Sequence, residues 1–281
     1  MIKVALPNKG QLHEPARRML TEAGYRQSRQ PRDLMVVDPQ NKIEFYLLRP
    51  KDIPTYVASG ILDLGITGRD MLVNADVAAH EVLQLGFGPS RFFVAAPVGS
   101  FGRRRDLAGA RVATSYPGLL RAFLAQEAID AEVVRLDGAV ENAVRLGVAD
   151  AIADVVDTGT TLRQAGLETV GDPILESEAV LIRRDDAPVD REVDVMVRRL
   201  QGVLTAWTYV LVDYDIATGL VEAACALTPG IESPTVSQLH EPGWSAVRAV
   251  VPKTDVHRVM DELADMGGRG ILVTAINAAR M

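Results

Sequence analysis

One stretch, Ala149-Asp150-Ala151-Ile152-Ala153-Asp154-Val155-Val156-Asp157-Thr158-Gly159-Thr160-Thr161-Leu162, constrains the chain most. Its apolar half reads as a buried strand with one acid, Asp154, inside it. The strand runs into a small, hydroxyl-rich turn, Asp157 to Thr161, and Leu162-Arg163-Gln164 opens a helix. A strand ending in such a turn aims backbone N–H groups and hydroxyls at one point, which suits a phosphate. A carboxylate within an apolar strand is costly unless it is paired. The hydroxyls of a sugar carrying that phosphate are suitable partners. The plainer alternative is an Asp-capped helix start with a Thr-rich turn, which leaves Asp154 without a reason.

Strands and helices of about ten residues alternate on either side. Ile2 to Leu6 reads as a buried strand, Pro7 to Gly10 as a turn, and Gln11 to Ala23 as a helix stopped by Gly24. Leu34 to Asp38 and Ile43 to Arg49 read as paired strands. Pro50 to Ser59 is a short helix, Leu62 to Thr67 a strand, and Gly68-Arg69-Asp70 opens another helix. Arg91 to Ala96 is the expected crossing into a second lobe. There Arg111 to Ser115, Glu132 to Leu136 and the opening stretch are strands, with helices Pro117 to Gln126 and Ala139 to Leu146 between them. Glu178 to Arg183 is a further strand, and Asp190 to Ala206 a long amphipathic helix. Such alternation implies mostly parallel sheets, whose ligands sit at the carboxyl ends of strands. Lys9-Gly10, Arg49, Gly68-Arg69-Asp70, Tyr116 and Asp157 to Thr161 all fall at such ends.

From Trp207 the rhythm changes to strand, helix, strand, strand, helix, strand, with Thr254 as the expected cap of the last helix. That order is ferredoxin-like. The expected fold class is therefore α/β: two lobes, then a C-terminal βαββαβ domain. The expected limits are 1–90 for the first lobe, 91–177 for the second lobe and 207–281 for the tail.

Composition narrows the function. The chain has 281 residues and a net charge of −7, which argues against a general nucleic-acid binder. Arg103-Arg104-Arg105 is the only dense basic run. A single cysteine, Cys225, fits a reducing, cytoplasmic setting. No apolar run is long enough for a membrane helix, no signal peptide is visible, and the four histidines lack metal-ligand spacing. No P-loop pattern occurs, and Gly86-Phe87-Gly88 lacks the third glycine of a dinucleotide fingerprint. The opening turn uses hydroxyls where a P-loop uses lysine, so it suits a phosphomonoester held while chemistry occurs elsewhere on the sugar.

Four stretches then resemble a known family: Leu6-Pro7-Asn8-Lys9-Gly10, Leu48-Arg49-Pro50-Lys51-Asp52-Ile53, Leu64-Gly65-Ile66-Thr67-Gly68-Arg69-Asp70 and Ala149 to Leu162. They look like those of ATP phosphoribosyltransferase. The stretch Ala226 to Val236 resembles the regulatory domain of the family's long form. The resemblance covers essentially the whole chain. It implies two catalytic lobes arranged like a type II periplasmic binding protein, the first completed by about 178–206. It implies that ATP, through adenine N1, is joined to C1′ of phosphoribosyl pyrophosphate, the first step of histidine biosynthesis. It implies Mg²⁺ escorting pyrophosphate, with no protein side chain assigned to the metal, and feedback inhibition by histidine. It also implies a homo-oligomer that shifts from an active dimer to an inhibited hexamer.

On this resemblance Asp157, Thr158, Gly159, Thr160, Thr161 and Leu162 would cradle the 5′-phosphate. Asp154 and Glu141 would take the ribose hydroxyls. Lys9, Arg49 and Arg69 would neutralise the pyrophosphate or ATP phosphates, Gly10, Gly68 and Asp70 would contribute to substrate binding, and Tyr116 would border the nucleotide. Asp154, Lys9 and Arg49 are the expected catalytic set. Asp215, Ser233 and Thr235 are the candidates for the histidine site. Each lysine or arginine taken singly reads equally as a surface charge, Glu141 as a solvated helix residue, Tyr116 as a core-edge aromatic, and the tail residues as turn formers. The rival functions are a non-catalytic two-lobed binding protein, a transferase acting on a free base, and an inactive regulatory paralogue. The first lacks the expected signal peptide or DNA-binding helices. The second usually has two adjacent acids before the loop, whereas Ala153 precedes Asp154 here.

Overall fold

The computed structural model describes residues 1–27, 34–156, 160–188 and 190–280, with Thr161 described by its backbone alone. The chain forms two compact units, Met1–Val197 and Arg198–Met281.

In the first unit, β1 (Ile2–Pro7), β2 (Met35–Asp38), β3 (Ile43–Leu48), β4 (Leu64–Gly68) and β5 (Ala79–Gln84) build one sheet. β6 (Ser90–Pro97), β7 (Arg111–Thr114), β8 (Glu132–Arg135), β9 (Ala151–Val156), β10 (Leu167–Thr169) and β11 (Leu175–Ser177) build a second. β12 (Ala179–Arg184) then returns to the first, giving the order β2-β3-β1-β4-β12-β5. A strand from the far end of the unit, inserted antiparallel between β4 and β5, is the signature of the expected two-lobed arrangement. The chain therefore crosses between the sheets twice, at residues 85–89 and at Glu178.

The helices of this unit are α1 (His13–Glu22), α2 (Ile53–Ala58), α3 (Arg69–Ala75), α4 (Pro117–Gln126), α5 (Asn142–Arg145) and α6 (Thr160–Gln164). Apart from the exposed Lys3 near its start, β1 is buried on both faces, with Val4, Ala5 and Leu6 apolar on either side. The second sheet is likewise covered on both sides. Val94, Val112, Ala151 and Ala153 face one core, with Leu120 and Phe123 of α4. Ala95, Ala113 and Ile152 face another, with Leu162 and Leu167. The sheets are mixed rather than mostly parallel: β2 and β12 in the first and β6 in the second run against their neighbours. β5, β10 and β11 were not anticipated.

α7 (Arg191–Thr208) buries Val193, Met196, Leu200, Val203 and Ala206. It keeps Trp207, which the sequence placed in a strand. The second unit follows with β13 (Tyr209–Ala217), α8 (Val221–Leu227), β14 (Thr235–Gln238), β15 (Trp244–Pro252), α9 (Val256–Asp265) and β16 (Arg269–Ala275). The antiparallel order β14-β15-β13-β16 is ferredoxin-like. One face packs Val210, Val212, Tyr214 and Ile216 on Ala224, Val256, Val259 and Leu263. Asp255, not Thr254, holds the N-cap position of α9, and its side chain makes no capping bond.

Candidate active site

The parallel strands β3, β1 and β4 end side by side, in register Leu48↔Pro7 and Gly65↔Ala5. Arg49, Lys9 and Gly68-Arg69-Asp70 therefore share one sheet edge. Lys9 and Arg49 are exposed and form no ion pair among the described residues. Gly10, with φ at +82°, makes the turn that carries Lys9. Thr67 donates its hydroxyl to the Pro50 carbonyl at 2.8 Å, tying the Arg49 turn to the neighbouring strand end.

Asp70 is buried, 6% exposed. Its Oδ1 accepts from Ser177 Oγ at 2.8 Å, and Ser177 Oγ accepts the Asp70 N–H at 2.9 Å. A Cβ on Gly68 would stand 2.2 Å from Asp70 Oδ1, so only glycine leaves room for this carboxylate. From the other lobe, the Tyr116 phenol faces Asp70. Burial pushes the Tyr116 phenol well above its usual range, and the charges of Asp70 and Asp154 add to it. Its ring packs edge-on against Phe92, with centroids 5.2 Å apart. Tyr116 thus stands within the fields of Asp70 and Asp154.

Asp154 is half-buried on β9. Its Oδ1 accepts the Val155 N–H at 2.8 Å. Burial pushes its carboxyl above the usual carboxylate range, the Val155 N–H opposes this, and the negative charge of Glu141 adds to it. Glu141 stands at the N-cap position of α5, partly buried. Two neighbouring carboxylates, one with unused acceptor capacity, can receive hydroxyl donors or a hard cation.

Two of the expected site residues are engaged in contacts within the protein. Arg69 is not a free cation at the cleft. Its Nε and Nη2 donate to Glu81 at 2.7 and 3.1 Å, Nη2 lies 3.5 Å from Glu178, and Nη1 donates to the Glu176 carbonyl at 3.2 Å. Glu178 in turn accepts the Gly86 N–H at 3.0 Å, so Arg69 pins both crossing segments. The Leu162 side chain is buried in the core beside Ile152 and Leu167, which leaves only its backbone for a ligand. Asp157, Thr158 and Gly159 lie outside the described residues, as does the side chain of Thr161. Thr160 is exposed at the start of α6.

A cavity of about 540 Å³ opens at the crossing segments, lined by Arg69, Ser90, Arg91, Val156, Glu176 and Glu178 among others. Arg91 was missed. It faces Val156, the last residue of β9, in the β6–β9 register, and no local signal in the sequence announces that pairing.

In the second unit, Asp215 and Thr235 line one cavity of about 430 Å³ on the helix-free face of the sheet, together with Asp213, Arg248 and Gly270. Asp215 has no hydrogen-bond partner among the described residues. Arg248 donates to Asp213 at 2.6 Å. Ser233 does not line this cavity; its hydroxyl lies 3.5 Å from the Pro234 carbonyl.

A family model described as ATP phosphoribosyltransferase matches residues 49–202, and one described as HisG, C-terminal domain, matches residues 206–278. The ATP phosphoribosyltransferase of Pseudarthrobacter chlorophenolicus is 61% identical over 284 residues, covering 100% of both chains. That of Streptomyces coelicolor is 55% identical over 285 residues, again covering 100% of both. Among solved structures, the ATP phosphoribosyl transferase (HisG:HisZ) complex from Thermotoga maritima contains a chain 26% identical to this one. It superposes with a TM-score of 0.62, over 72% of this chain and 97% of that chain.

Proposed function

The chain belongs to the ATP phosphoribosyltransferase family, and on that premise we propose how its cleft performs the transfer. Adenine N1 of ATP attacks C1′ of 5-phosphoribosyl 1-pyrophosphate. The N1–C1′ bond forms, the C1′–O bond breaks, and pyrophosphate leaves with the electron pair. The adenine amino group then releases a proton, giving N1-(5-phosphoribosyl)-ATP, the first intermediate of histidine biosynthesis. N1 carries its own lone pair, so the attack needs no general base. The protein's work is positioning and charge stabilisation.

The juxtaposition of Asp154 with Glu141, and of Tyr116 with both Asp70 and Asp154, supports this reading best. Asp154 accepts the ribose hydroxyls, which supply the partners its strand lacks. Asp157 to Thr161 hold the 5′-phosphate. Lys9 and Arg49, free of ion pairs among the described residues, face the departing pyrophosphate or the ATP phosphates. Tyr116 borders the nucleotide. Mg²⁺ carried by the substrate phosphates would supply charge neutralisation there, and the Asp154–Glu141 pair would offer hard oxygens to a cation held mainly by substrate. The two lobes, 1–90 with 178–206 and 91–177, take the two ends of this substrate pair.

The tail, 207–281, is the effector domain. Asp215 and Thr235 meet one end of histidine, and Arg248 on the same cavity suits its carboxylate. Inhibition follows if the dimeric and hexameric states differ in histidine affinity. The test is to mix the protein with ATP, phosphoribosyl pyrophosphate and Mg²⁺ and to look for phosphoribosyl-ATP, with and without histidine. Product formation that histidine suppresses is expected. No product would end the enzymatic reading, and product insensitive to histidine would end the effector reading.

A further inference from the structure

Helix α4 has no N-cap of its own. Tyr116 stands at the N-cap position, but its side chain makes no bond to the first turn; it reaches Asp70 instead. The N–H groups of the second and third helical residues are those a capping side chain normally satisfies. Here they are satisfied from the other lobe. Asn74 on α3 presents Oδ1 to the Gly118 N–H at 2.9 Å and to the Leu119 N–H at 3.4 Å. The approach is as close as the backbones allow, because a Cβ on Gly118 would stand 2.1 Å from the Asn74 carbonyl oxygen. Glycine costs a helix about 1 kcal/mol relative to alanine, and the reason for it at Gly118 lies in α3, not in α4. Asn74 is one helical turn from Asp70, and Gly118 two residues from Tyr116, so the cap lies beside the place where Tyr116 faces Asp70.

We propose that Asn74, seated on Gly118, is a positioning residue for phosphoribosyl transfer. It caps α4 from the opposite lobe and so holds the lobe bearing Tyr116 and Asp154 at a fixed separation from the Lys9–Arg49 edge. The proposal rests on the reading of this cleft as the active site. A substrate pair that touches both lobes needs that separation, whereas a ligand held by the second lobe alone does not. When the closed fraction falls, the apparent affinity of a bridging ligand falls in proportion.

The test uses three full-length variants: Asn74→Ala, Asn74→Asp and Gly118→Ala. Aspartate accepts the same N–H groups about as well as asparagine. Gly118→Ala keeps every hydrogen-bonding group but forces α3 and α4 apart. From the usual range of capping energies, Asn74→Ala is expected to lower kcat/KM by roughly 3- to 30-fold, with Gly118→Ala at least as affected. Asn74→Asp is expected to keep most of the activity. Binding of ribose 5-phosphate, a probe confined to the second lobe, stays the same in all three. Amide exchange rises together in residues 69–75 and 116–124 of the Ala variants and not elsewhere. Unchanged exchange in both Ala variants would overturn the proposal, as would a loss in Asn74→Asp equal to that in Asn74→Ala or a parallel loss of ribose 5-phosphate binding. Exchange is read without turnover. A wild-type protein with no transferase activity would therefore sink the active-site reading while the cross-lobe contact is still decided.

Discussion

At Asp154 a carboxylate on an apolar strand is half withdrawn from water, with Glu141 adding negative charge nearby. Its folded pKa lies above the unfolded one, so the native state binds the extra proton, and stability declines as pH rises between the two values. Above both, the ionised group opposes folding. Asp154→Asn is therefore expected to melt no lower than the wild type at neutral pH. The same change removes a charged acceptor from the ribose hydroxyls. One or two such bonds, at about 1.5–3 kcal/mol each, predict a fall in kcat/KM for phosphoribosyl pyrophosphate of roughly 10-fold or more. In the wild type the acid limb of that parameter lies above the usual carboxylate range, and steady-state kinetics against pH shows whether it disappears in the variant. Asp154 was legible in the sequence because a charge inside an apolar run is a local anomaly. The pairing of Arg69 was not, since Glu81 and Glu178 lie 12 and 109 residues away.

At the level of elements, long apolar runs were read correctly as strands, while β5 was missed. Its sequence, AHEVLQ, has no fully buried residue, because it is the edge strand beside β12 and half its surface meets water. β10 and β11, three residues each, are too short to show a period and exist only because β6 offers them a hydrogen-bonding edge. In the tail, the alternating burial of β13 puts Asp215 on its outward face, and the register of β14 on β15 brings Thr235 to the same face. Ser233 precedes β14 and falls away from it. Asp215→Asn and Thr235→Val are thus expected to weaken histidine inhibition about 10-fold or more, judged from one lost bond to a charged group, with kcat unchanged. Ser233→Ala leaves inhibition as it was. Inhibition curves at fixed substrate distinguish these outcomes, and a Ser233→Ala enzyme resistant to histidine would contradict the placement.

At the scale of the whole molecule, the two sheets of the first unit are joined by two crossings that Arg69 ties together through Glu81, Glu178 and the Glu176 carbonyl. Removing its guanidinium leaves two partly buried carboxylates, Glu81 and Glu178, without their cation. Arg69→Ala is expected to cost about 1–3 kcal/mol of stability, measured by denaturant unfolding, with little change in KM for phosphoribosyl pyrophosphate. A large rise in KM at unchanged stability would return Arg69 to the substrate. By itself the sequence determined the succession of strands and helices, the change of rhythm at the tail and the anomalous acid of the opening stretch, because periodicity, turn chemistry and a misplaced charge are properties of neighbours in the chain. Only the tertiary structure decided which cations are free for a ligand, which strands close the sheets, and that α4 is capped by Asn74 from the opposite lobe. Ion pairs, sheet edges and caps of that kind depend on distances between residues tens of positions apart, and those distances exist only once the chain has folded.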